Sequence, residues 1–428
     1  MTEQRDSILI RNAKLVDKRS PFHLKTMDVH IEHGVIKEIG KNLKEKFGME
    51  VISGKDLHLS IGWFDLHVNV QDPGYEYKET IESALKAAAA GGFSGVLSCS
   101  TTIPAVDHKS AVEYQLNKSK GQACELFVSG CLSQQALGRE LAELYDMKMA
   151  GARAFYDYKS NVENSQLLKL ALLYTKSFDG LVMCQPGDKY LNGHGMVHEG
   201  RVSTSNGLKG IPTIAEDIGV ERMLKILEYT GHKIHFSALS SPASVKLVKQ
   251  AKKKGLGVSA GVSSFNLMYT DQEVSNFDSN FKLMPPLRDK SMQKSLISGL
   301  LDGSIDVVIS DHWPQNIESK DCEFENAGYG MINLETSFAI LNTALEGRMS
   351  SEDMIELLAV KPREILGLEI PLLDVGQKPN LTLYQPSKKW TYNVSDSLSV
   401  SRNSGLDGRE FIGSIVGVIR GGTYQLNN

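Results

Sequence analysis

The stretch KIHFSALSSPASVKLVKQAKKKGLGVSAGV (233–262) decides the fold. It opens on an apolar run, KIHFSAL (233–239), turns at Ser241-Pro242, continues as a helical pattern, and returns at Gly255 to a second apolar run, GLGVSAGV (255–262). Ser241 reads as an N-cap and Pro242 as a first-turn residue, because the hydroxyl takes an orphan backbone N–H and proline has none to lose there. Gly255 closes the helix. Two near-continuously apolar runs joined by such a helix make a strand–helix–strand unit with parallel strands buried on both faces.

Working outward, similar runs recur at WFDLHVNV (63–70), FSGVLSCS (93–100), CELFVSG (124–130), ARAFYD (152–157), GLVMCQ (180–185) and IDVVISD (305–311), which makes eight in all. Helical patterns separate them. Asn164 can cap 165–176, and Val220, Met223, Leu224 and Leu227 follow the i, i+3, i+4, i+7 stripe that Gly231 ends. Eight strand-then-helix units predict an α/β (β/α)8 TIM barrel over 59–371. The flanks differ. ILIRNAKLVD, MDVHIEHGVIKEIG, PNLTLYQP and EFIGSIVGVIRGG alternate with period two, so 1–58 and 372–428 are expected to pair into one small β-sandwich.

Composition narrows the class. A chain of 428 residues is about three times a typical domain of roughly 150, in keeping with one large domain and an appendage. A formal net charge of −4 argues against nucleic-acid binding, which draws on clustered positive charge. Lys246, Lys249, Lys252, Lys253 and Lys254 read as the solvated face of an outer helix. The five cysteines, Cys99, Cys124, Cys131, Cys184 and Cys322, form no CxxC pair and read as reduced packing residues. MTEQRDS carries no apolar signal region, and no apolar run approaches the ~20 residues that cross a bilayer. The expectation is a cytoplasmic protein with no membrane contact.

In such a barrel the chemistry sits at the C-terminal ends of the strands. There the chain carries DLHVNVQDPGYEYKET (65–80), GGFSGVLSCSTTIP (91–104), MPPLR (284–288), DGSIDVVISDHWPQ (302–315), AGYGMINLET (327–336) and SRNSGLDG (401–408). On these motifs the sequence resembles the dihydroorotases of the amidohydrolase superfamily, the type close to hydantoinases and allantoinases. The resemblance implies a metal-hydroxide chemistry, in which zinc activates a water against a cyclic amide and a strand 8 aspartate shuttles the proton.

The same resemblance implies a depleted site. Of the His-x-His pair on strand 1, His67 matches and Asn69 stands in the second slot. The strand 5 and strand 6 histidines correspond to Gln185 and Ala238. Strand 4 of the family supplies a lysine or aspartate bridge; where it shows two adjacent aspartates, this chain has Asp157 and Tyr158, and Asp311 is retained. The remnant metal ligands are therefore His67, Asp157 and Asp311, with Asp311 the catalytic residue if the site works. Amide side chains are weak zinc donors and alanine is none. The substrate positions change as well. The carboxylate-gripping arginine is Gln71, and the family's asparagine after strand 2, its asparagine before Pro-Pro-Leu-Arg and its last strand 8 histidine are Thr101, Met284 and Gln315. His194, His198, His232 and His235 are the histidines that could rebuild a metal site, while His312, next to Asp311, should point away from it.

The leading expectation is a catalytically impaired member of pyrimidine biosynthesis with no tightly bound cofactor. It would act as a structural or regulatory partner, with aspartate carbamoyltransferase the partner that the resemblance suggests and a homo-oligomer the expected state. The alternative is an active cyclic-amide hydrolase with a reduced mononuclear zinc site at His67, Asp157 and Asp311. A small-molecule binding protein using the former active-site pocket is a third reading.

Overall fold

The computed structural model describes residues 3–4 and 7–427; Met1, Thr2, Arg5 and Asp6 of the polar opening lie outside the described residues. All eight apolar runs are strands of one parallel sheet. In chain order they are Trp63–Val68, Phe93–Ser98, Glu125–Gly130, Ala154–Phe155, Leu181–Cys184, Lys233–Phe236, Gly257–Ser263 and Val307–Ile309, called barrel strands 1 to 8 below. Each pairs with its sequence neighbour.

Between strands 8 and 1 the barrel closes through a Val68–His312 bridge and through Asp65. Asp65 is wholly buried, and its carboxylate accepts the amides of His67 (3.0 Å) and Ser310 (3.1 Å). Burial pushes this carboxyl up to about 7, against those hydrogen bonds.

The local signals place the helices as expected. Asn164 accepts from the amides of Gln166 and Leu167 at the start of Ser165–Lys176. Ser241 caps Pro242–Lys253, and Gly231 ends Thr213–Thr230 at φ 59°. Lys249 and Lys252 pair with Asp302 and Asp306, so the basic helix face is partly neutralised by its neighbour. Of the cysteines, four are buried and free as expected; Cys322 is free but exposed.

Both chain ends share a single nine-stranded sheet, in which the strand Asn380–Thr391 joins Glu410–Arg420 on one side and His58–Ile61 on the other. This moves the expected boundary at 58. His58–Ile61 pairs with Ser7–Val16 and Asn380–Thr391, so the terminal unit runs to Ile61. The chain crosses to the barrel at Gly62, where a Cβ would stand 2.1 Å from both Asn380 Oδ1 and Ser94 Oγ, a close approach that requires glycine. Trp63 seals the junction. It is fully buried, packs on Phe338 and Tyr384 at 4.6 and 5.3 Å, and donates its indole N–H to Ser60 Oγ.

The segment Ser397–Asn403 is strapped onto the barrel end by two acids. Glu335 accepts from Ser397 Oγ and the Leu398 amide, and Glu79 accepts from Ser399 Oγ and the Val400 amide. Burial and then the nearby Glu79 push the Glu335 carboxyl up to about 7, against these donors. A carboxyl that the fold keeps protonated adds stability below its ordinary range and loses it as pH rises to its folded value. Glu335→Gln should therefore melt with the wild type below about pH 4.5 and increasingly above it up to about pH 7. Thermal melts across this range check the difference.

Candidate active site at the barrel mouth

Barrel strands present alternate side chains to opposite faces, so Tyr156 and Tyr158 share one side at the end of strand 4 and Asp157 takes the other. The carboxylate of Asp157 accepts the amides of Leu132 (2.8 Å) and Ser133 (2.9 Å) and the Ser133 hydroxyl (2.5 Å). It holds the turn after strand 3 and does not join His67 and Asp311, contrary to its place in the expected ligand set.

His67 and Asp311 do come together. His67 Nδ1 lies 2.9 Å from Asp311 Oδ1, with both side chains almost fully buried. Tyr158 fills the place beside them, its ring stacked on the imidazole at 5.1 Å and 21° and edge-on to Trp313 at 5.2 Å. On the far side of His67 the Tyr156 hydroxyl stands 3.1 Å from Nε2 and 2.7 Å from Ser237 Oγ. Ser237 donates to Gln185 Oε1 (3.0 Å), and Gln185 Nε2 reaches the Ala238 carbonyl (3.4 Å). The positions expected to carry metal ligands on strands 1, 5, 6 and 8 are thus linked by one chain of polar contacts through strand 4.

The sequence reading passed over Lys159. Its Nζ donates to Asp311 Oδ1 at 2.7 Å and to the Met284 carbonyl, and it lies over the rings of Tyr158 and Trp313 at 5.6 and 5.8 Å. The side chain is 8% exposed. The available signal was a lysine at the end of a buried strand, directly after Tyr158. Burial pushes the Asp311 carboxyl up, but Lys159 and His67 outweigh it and hold the group below its ordinary value. Burial, and then the charge of Lys159, lower the basicity of His67.

Gln71, Tyr158 and Asp311 all adopt positive φ, 59°, 52° and 55°, at the mouth. Such non-glycine conformations persist where the surroundings over-determine them, as at binding and catalytic sites. The Gln71 amide donates to the Pro314 carbonyl, and Gln315 bonds Lys78 and the Tyr329 carbonyl, so both are engaged within the chain. A cleft of about 80 Å³ remains, lined by Lys159, Gln185, Asn192, Met284 and Arg288 among others.

The remaining histidines do not rebuild a metal centre. His194 is exposed. His198 is buried and takes an Arg288 N–H at 3.2 Å, and His232 contacts the Gly180 carbonyl at the opposite end of its strand. His235 is fully buried against Ser259, and burial lowers it to about 3. His312 points out of the barrel as expected, taking the Asn333 amide and facing Glu79 at 3.4 Å. Among the described residues no three His, Cys, Asp or Glu side chains are grouped to hold a metal ion.

A family model described as Dihydro-orotase-like matches residues 58–244. A protein named Dihydroorotase from Trichlorobacter lovleyi is 36% identical over 418 residues, spanning 97% of this chain and 98% of its own. The chain belongs to the dihydroorotase family. A second relative with that name, from Carboxydothermus hydrogenoformans, is 37% identical and covers 95% of both chains. Among solved structures, the L-hydantoinase (dihydropyrimidinase) from Arthrobacter aurescens superposes with a TM-score of 0.83 at 19% identity, over 100% of this chain and 98% of its own. It shares the fold, a (β/α)8 barrel with a β domain built from the chain ends.

Zinc in this family member would need at least three good donors. The donor set does not fit it. Among the described residues His67 and Asp311 are the His, Cys, Asp or Glu groups that meet here; Lys159, at the end of strand 4 where the family uses a lysine or aspartate bridge, donates at 2.7 Å to the same Asp311 oxygen that lies 2.9 Å from His67, and an ammonium has no lone pair for a metal. Tyr158 and Ala238 offer no substitute.

Proposed function

We propose that this member of the dihydroorotase family serves pyrimidine biosynthesis without hydrolysing a cyclic amide, as a structural or regulatory companion to an active enzyme. The observation that carries this reading is the place of Lys159, whose ammonium stands on Asp311 where a metal-hydroxide mechanism needs its cation. What remains is an imidazole–carboxylate pair able to hold a proton, and among the described residues no third His, Cys, Asp or Glu joins it to hold a metal that would turn water into a hydroxide nucleophile at neutral pH. The partner suggested by the family resemblance is aspartate carbamoyltransferase, in an assembly that also contains more than one copy of this chain.

The comparisons taken alone favour a second reading, an active dihydroorotase with a mononuclear site, because full-length relatives at 36–37% identity carry that name. Two measurements separate the readings. Elemental analysis of chain purified without chelator, joined to a dihydroorotate ring-opening assay with and without added Zn²⁺, is expected to find far less than one metal per chain and no turnover above the uncatalysed rate. One tightly held metal with chelator-sensitive turnover decides for the active enzyme. Light scattering of a mixture with aspartate carbamoyltransferase tests the partnership, and separate elution of the two proteins counts against it.

A further inference from the structure

We infer that Lys159 is a tethered cation that takes over the electrostatic task of the metal, so that the barrel mouth is held together by an ammonium built into the chain. The inference rests on the reading that this barrel does not use a metal, and adds what replaces it. A buried carboxylate left alone is costly, and a protein that loses its metal must protonate that carboxylate, remove it or pair it. Asp311 is neither removed nor neutralised; it is 6% exposed at a positive φ, and it is paired.

The pairing is directional. Lys159 follows Tyr158, whose left-handed backbone turns the chain at the end of strand 4. The ammonium lies over the Tyr158 and Trp313 rings, an arrangement favourable to a desolvated cation. Its head meets one carboxylate oxygen and one carbonyl, Met284 O, from two other parts of the barrel. Strand 4, strand 8 and the Met-Pro-Pro-Leu-Arg loop are thus tied at one point, and through Asp311 the tie extends to His67 on strand 1. The site also holds its own counter-charge, so an external divalent ion gains little there.

Three variants read the charge separately from the volume. Lys159→Met keeps the stem and drops the charge. It is expected to melt about 3–5 °C below the wild type, as for a buried pair broken in a chain of this length. Lys159→Ala should lose at least as much, and methylammonium, which fits the space left by the lysine head, should recover part of the loss in that variant and raise neither the wild type nor Lys159→Met. Lys159→Arg keeps a cation but overfills the site, and should fall between. Wild-type melting should be unchanged by EDTA or by Zn²⁺.

A Lys159→Met melt equal to the wild type overturns the inference, as does an absence of recovery in Lys159→Ala. If a variant fails to fold, competitive reductive methylation of the wild-type chain reads the same contact. Lys159 must label far more slowly than the exposed Lys246 and Lys253, and equal labelling overturns the proposal. Zinc with turnover in the wild type defeats the functional reading, whereas an unchanged Lys159→Met melt in a metal-free chain defeats this inference alone.

Discussion

Restoring histidine at positions 69, 185 and 238 is expected to leave the barrel without stoichiometric zinc, whereas adding Tyr158→Asp and Lys159→Gly to those three changes is expected to bring it in. On donor count the triple variant should suffice, since with His67 it offers four imidazoles and zinc asks for three or four ligands. Space and charge decide otherwise. The Tyr158 ring lies against His67 at 5.1 Å, and the Lys159 ammonium stands 2.7 Å from Asp311. Two unit charges ~4 Å apart repel by about 4 kcal/mol at an effective dielectric near 20, and a dication doubles the figure. Removing both side chains opens the space and frees Asp311, while the carboxylate brought in by Tyr158→Asp would supply the missing strand 4 ligand. Isothermal titration and elemental analysis after dialysis check both variants. Tight zinc in the triple variant with Lys159 still present would show that the ammonium does not exclude the metal.

Loss of Arg288 is expected to be the most damaging single change at the barrel mouth outside the Lys159–Asp311 pair. The motif MPPLR places an arginine in a loop where substrate contact is the natural guess, yet its side chain is only 2% exposed. It donates to Ser240 Oγ (3.0 Å), the Ile211 carbonyl (2.8 Å) and His198 Nδ1 (3.2 Å), and stands 3.9 Å from Glu216. Glu216 in turn accepts the amides of Ser240 and Ser241 just beyond strand 6. Arg288→Met leaves the buried Glu216 carboxylate without its counter-charge and removes the donor from three acceptors, which costs about 3–5 kcal/mol, or about 3–5 °C in a chain of this length. Arg288→Met with Glu216→Gln should regain part of that loss, because the stranded charge is then gone. Differential scanning calorimetry of the two variants gives the comparison, and a single variant melting within a degree of wild type refutes the role.

Much of the fold was legible because its signals are local. Ser241-Pro242, Asn164 and Gly231 act within one turn of helix, and the eight apolar runs report burial on both faces of each strand, so the barrel could be counted along the chain. The boundary at 58 missed because His58–Ile61 is as apolar as a barrel strand. Whether HLSI joins the barrel or the terminal sheet depends on Asn380–Thr391, more than three hundred residues away. The orientation of Asp157 was readable in principle, since period-two alternation with Tyr156 and Tyr158 turns it from the mouth. The family frame pointed instead to residue type at an aligned position.

By itself the sequence determined the barrel, the composite terminal sheet and the family, and it set which side chains, Asn69, Tyr158, Gln185 and Ala238, stand at the strand ends, because each of these is a matter of local pattern or of residue identity. Only the tertiary structure decided which charged groups meet at the barrel mouth. A lysine stem has four rotatable bonds and no directional signal in its neighbours; that it ends on Asp311 and the Met284 carbonyl follows from strands 4 and 8 and the Pro-Pro loop closing on one desolvated point. There an unpaired carboxylate is costly and the nearest cation belongs to the chain itself.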